Sequence, residues 1–98
     1  MDPSVLVHEA SGPYAELASR PNPDGFIIAF MPALGAWLLR AEREKGEPLT
    51  QDEVVRIRDG APAIAIVTAQ VEKLRESRGY EDVDPTDLWS SWQAFKTT

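Results

Sequence analysis

A small, mainly α-helical domain is the fold class this sequence predicts, and three observations predict it. One is a fourteen-residue apolar run, Phe26 to Leu39 (FIIAFMPALGAWLL), which offers more continuous surface to bury than any other stretch. Another is a pair of helix-start signals, Thr50–Glu53 and Asp84–Asp87. The last is the recurrence of apolar residues at three- and four-residue spacings downstream, the period of an amphipathic helix. Together they describe a single domain over residues 1–98, a bundle of three to four helices. Residues 1–25 form an irregular, proline-rich wrap and 26–98 the helical core, with room for one short strand pair.

The lead, residues 1–25, holds Pro3, Pro13, Pro21 and Pro23. Proline lacks an N–H and restricts the residue before it, so no long regular element fits there. One short helix is predicted at Pro13–Arg20, with Tyr14 and Leu17 on one face, and Ser19–Gly25 (SRPNPDG) reads as a turn. The apolar run then divides at Pro32, which can occupy a helix's first turn. A helix from Pro32 to about Lys45 sets Leu34, Trp37, Leu38 and Ala41 in one stripe. Gly46 supplies its stop and Pro48 forbids continuation. Before it, Phe26–Phe30 suits a short buried strand or a helical turn, because five residues are too few for periodicity to decide.

The strongest local pattern follows. Thr50 and Glu53 fit a capping box, with Leu49 and Val54 at the flanking staple positions, so a short helix runs from Thr50 to about Asp59. Pro62 can open another, to Arg78, with Ile64, Val67, Val71 and Leu74 as its inward seam. The alternation in Ala63–Val67 (AIAIV) also suits a strand, but the single helix is the preferred reading. Asp84 as cap, Pro85 at the first position and Asp87 at the third open the last helix. Leu88, Trp92 and Phe95 lie along one side of it, and Trp89 sits beside them.

Composition narrows function more by exclusion than by naming. Hydrophobic and charged fractions of 43% and 27% are those of a globular chain. With no cysteine, there are no disulfides, thiol nucleophiles or thiolate metal sites, and the reducing cytoplasm is the expected compartment. Net charge is −6, and acids outnumber bases in each third of the chain. Nucleic-acid binders present basic patches, and anionic membranes want the same, so neither partner is expected. The apolar run falls short of the ~20 residues a bilayer needs, and its lead is acidic where an export signal is basic. A partner with a basic surface is the natural counterpart.

Catalytic patterns are thin. His8 is the single histidine, no G-x-S-x-G elbow exists, and no glycine-rich phosphate loop occurs. No cofactor or metal is expected. The sharpest candidate site is the acidic cluster Glu81, Asp82, Asp84 and Asp87, which lacks the spacing of a calcium loop. Asp84 and Asp87 also have a capping role to fill. Next to it, Trp89 is the aromatic residue best placed to anchor a partner, since tryptophan is enriched at binding hot spots. The leading expectation is therefore a small acidic, non-enzymatic protein-interaction module of the inhibitor, immunity or adaptor type. It would dock through Glu81, Asp82, Asp84, Asp87 and Trp89. The alternatives are a metal-dependent enzyme using residues 81–87, and a homodimer or larger structural assembly through exposed Trp89 and Ile66.

Overall fold

The computed structural model describes residues 5–97, so Pro3 lies outside the described residues. Along the chain come β1 (Ser11–Pro13), α1 (Tyr14–Ala18), β2 (Ile27–Phe30), α2 (Leu34–Lys45), α3 (Gln51–Gly60), β3 (Pro62–Ile66), α4 (Thr68–Arg78) and α5 (Leu88–Lys96). The three strands make one antiparallel sheet in the order β1-β3-β2. This corrects the expected helical bundle: the fold is a small α/β-type domain, with five helices among the described residues.

The correction turns on Pro62–Ile66, expected as the start of a long helix and found as the central strand. Its side chains alternate, as strand residues must. Ala63 and Ala65 enter the core, while Ile64 and Ile66 point to the other face. Pairing on both sides decides the matter, since β3 aligns Ile64 with Ser11 and with Ala29 at once. The helical seam was a coincidence of spacing. Of its members, Val67 is exposed, and the helix is confined to the eleven residues of α4, with no buried residue among them.

The lead is more ordered than a wrap. Proline is tolerated on a sheet edge, where its missing N–H breaks no ladder, and Pro13 ends the edge strand β1. The helix that follows is five residues long, shorter than Pro13–Arg20, and drives Leu17 wholly into the core. Tyr14, its first residue, stacks on Phe30 of β2 at 5.1 Å between ring centres. The run Phe26–Leu39 therefore contributes strand and helix both, divided by the cis Met31–Pro32 peptide.

One face of the sheet carries the core. Phe30, Ala63 and Ala65 pack with Leu17 of α1, Leu34 and Leu38 of α2, Val54 of α3, and Leu88 and Trp92 of α5. Helix α3 starts where its capping box places it: Glu53 N–H donates to Thr50 Oγ1 at 3.2 Å, and Thr50 N–H donates to Glu53 Oε1 at 2.8 Å. Helix α2 ends at Gly46 in the left-handed conformation, φ 80°, as a glycine stop allows. Helix α4 adds nothing to this core and meets the sheet at β2.

Candidate functional site

The acidic turn expected to carry the site does border a cleft. About 970 Å³ opens between the 80–85 segment, α5 and the outer side of α2. Its apolar surface comes from Leu39, Pro85, Ala94 and Phe95, and its polar groups from Tyr80, Glu81, Asp82, Asp84, Ser91 and Lys96. A volume of this order is at the upper end of what ligand sites enclose, and a side chain or short segment fits it.

Two glycines shape the cleft. Gly79 stops α4 with φ 76°, and the chain turns there to present Tyr80 at 43% exposure. Gly35, in the first turn of α2, lies against Phe95, and a Cβ at that position would collide with three carbons of the ring. Phe95 thus sits low enough for Tyr80 to meet its edge at 5.7 Å and for Trp92 to stack behind it at 6.3 Å.

The four carboxylates divide by what they touch. Asp82 is the most engaged: its two oxygens accept from Leu34 N–H at 2.7 Å and Gly35 N–H at 2.8 Å, and one also accepts from Val83 N–H at 2.8 Å. Helix α2 begins after Ala33, which has no side-chain acceptor, so Asp82 supplies the cap from 48 residues away. Arg78 stands 3.7 Å from the same carboxylate and donates to the Phe30 carbonyl, tying the end of α4 to the end of β2. At 15% side-chain exposure, this is a joint rather than a docking group.

Asp84 does not cap the last helix as expected. Its Oδ1 accepts from the Thr86 hydroxyl at 2.7 Å and the Thr86 N–H at 2.9 Å, closing a turn of its own. Those bonds, led by the Thr86 hydroxyl, hold its carboxyl below the usual aspartate range. The helix begins only at Leu88, with Asp87 at the cap position and no side-chain cap bond. Ser91 Oγ accepts from Asp84 N–H at 3.0 Å and fastens the turn to α5. Glu81 is the open carboxylate, 78% exposed and 3.4 Å from Arg75 on the surface.

Not every expected residue reaches the cleft. Asp87 is exposed but does not line it, and Trp89 packs half-buried against the core. Ile66, expected with Trp89 at a self-interface, is buried at 6% exposure. Sequence reasoning missed Tyr80, Leu39 and Lys96. Leu39 had a signal: it falls off the Leu34–Ala41 stripe, and an apolar residue off the stripe faces solvent. Lys96 is held 3.5 Å from Glu42 and 5.5 Å over the Trp92 ring.

For catalysis the arrangement offers little. His8 lies elsewhere, bonded to Gln70 at 2.9 Å and stacked on Phe26. Among the described residues, no three histidine or carboxylate side chains converge as metal ligands would. No helix among them is long and apolar enough to cross a membrane. Compared with protein-family models, curated proteins and solved structures, the chain matches none.

Proposed function

We propose that this protein is a small acidic, non-enzymatic interaction module of the inhibitor, immunity or adaptor type. Its docking surface is the C-terminal cleft, and its partner is a protein segment that carries lysine or arginine beside an apolar side chain. One observation carries the reading: exposed Tyr80 and Leu39 share a cleft with the carboxylates of Glu81 and Asp84. An apolar floor under an acidic rim complements a basic, partly apolar segment, and charge steers its approach. Net charge of −6 extends the same preference to the whole surface. A cytoplasmic setting goes with a chain free of cysteine.

The metal-dependent reading is not favoured, because Asp82 is committed to the α2 cap and Asp84 to its own turn. The test is an amide NMR titration with two short peptide sets, Lys/Arg-plus-aromatic and Asp/Glu-plus-aromatic. The cationic set is expected to shift Leu39, residues 80–85 and residues 91–96, with binding weakened by salt and by Tyr80→Ala. Equal response to both sets, or no response to either, would sink the proposal.

A further inference from the structure

Helix α4 presents one stripe to β2. Val71, Leu74, Arg75 and Arg78, at i, i+3, i+4 and i+7, line a slot of about 140 Å³. All four residues of β2 border it, together with Tyr80, Val83 and Pro85 of the following turn. Val71 and Leu74 are half-buried there, yet neither takes part in the core. Strand β2 is an edge of the sheet, and the register fixes its free side. Met31 N–H donates to the Pro62 carbonyl at 3.1 Å. The bonded pairs with β3 are therefore Ala29 with Ile64 and Ile27 with Ile66, and Ile28 and Phe30 turn their main-chain groups outward. Arg78 donates to the Phe30 carbonyl. Among the described residues, no hydrogen bond reaches the Ile28 N–H, the Ile28 carbonyl or the Phe30 N–H. Charge is uneven around the slot. Arg78 is held by Asp82 as well as by Phe30. Arg75 is 53% exposed and stands 3.4 Å from a Glu81 carboxylate that is 78% exposed. A pair so open to water contributes little and yields readily to another carboxylate.

We propose that this slot is a strand-addition site for an extended peptide bearing an aliphatic side chain and, two residues away, a carboxylate. Three observations choose that occupant. The open N–H and carbonyl of Ile28 can exchange both bonds with a single residue of an added antiparallel strand. A volume of about 140 Å³ between apolar walls suits a leucine-sized group, since a dry cavity of about 150 Å³ holds a benzene. Arg75 calls for a carboxylate on the side of the added strand that faces α4, and side chains two apart share a side. The residue between the two pairs with Ile28. The site does not rest on the cleft reading. Its ligand is acidic where the cleft's is basic, although Tyr80, Glu81, Asp82 and Pro85 border both spaces.

The test is an amide NMR titration of the full chain with a short blocked peptide carrying leucine and, two positions on, aspartate. The Ile28 and Phe30 amides are expected to move downfield and to exchange more slowly with solvent. Val71 and Leu74 should shift with them, and Leu39 should stay in place. N-methylation of the peptide residue between leucine and aspartate removes one strand bond and should weaken binding about tenfold. Arg75→Gln, on an exposed side chain, should weaken it about threefold. Val71→Phe fills the slot from a helix with no buried residue, and should abolish binding with unchanged circular dichroism. No shift at Ile28 up to about 5 mM peptide overturns the proposal. So does equal binding of the N-methylated peptide, or binding indifferent to Val71→Phe. A lysine peptide that binds as well as the aspartate one, or an Arg75→Gln variant without effect, overturns the acidic ligand. Shifts confined to Leu39 and residues 91–96 would place the peptide in the cleft and overturn this site alone.

Discussion

Two helix starts in this molecule solve one problem in opposite ways. The first N–H groups of any helix lack partners within it. Helix α3 satisfies its own with residues three apart, Thr50 and Glu53. Helix α2 borrows the carboxylate of Asp82 from a turn 48 residues later in the chain. The local cap stabilises one helix. The borrowed cap, with Arg78 beside it, also fixes where β2, α2 and α4 meet, and it forms one wall of the cleft. A cap can thus be secondary structure in one place and tertiary structure in another.

Breaking the borrowed cap should cost most. Asp82→Ala leaves the Leu34 and Gly35 N–H groups without their acceptor and Arg78 without its counter-charge, and about 3 kcal/mol of stability is expected to be lost on urea unfolding. Asp82→Asn, which keeps an acceptor but not the charge, should cost less. Next is Gly35→Ala, in the same turn, where the new methyl must displace the Phe95 ring. About 2 kcal/mol is expected, with the Tyr80 ring signals shifting because Phe95 moves. Thr50→Ala removes only the local cap and should lower the unfolding free energy by about 1 kcal/mol.

The smallest effect is read in the pH dependence of the local cap. Lys45, 2.5 Å away, together with Thr50, lowers the Glu53 carboxyl to about 2 from an ordinary 4.5. A carboxylate depressed in the folded state stabilises above its unfolded value and loses that contribution as pH falls through the folded one. Wild-type stability should therefore decline from about pH 4.5 toward pH 2 partly through Glu53, and Glu53→Gln should flatten that part of the profile. An unchanged slope in the variant would mean that the Lys45 contact is not formed in solution.

The same contrast explains what could be read in advance. Helix α3 was legible almost to the residue, because cap, staple and periodicity all lie within a dozen positions. The ends of α2 and α4 at Gly46 and Gly79 were legible for the same reason. The sheet was not. Its three strands pair residues 11–13 and 27–30 with 62–66, and each strand alone is too short to favour one period over another. Ile64 and Val67 satisfied a helical spacing until Ser11 and Ala29 claimed the strand. In the candidate site, Glu81 and Asp84 were found by their charge alone. The part played by Asp82 depends on Leu34 and Gly35, and no window of sequence contains all three.

That distance has a consequence for motion. The amide protons of Leu34 and Gly35 are bound to an atom that stays in place only while the 78–82 segment does. Fraying of α2 alone cannot release them, whereas the Glu53 amide is freed when one turn of α3 opens. In deuterated water, the first two should exchange as slowly as the central strand and the third far sooner. The start of α2 would then report on the whole molecule, and the start of α3 only on itself.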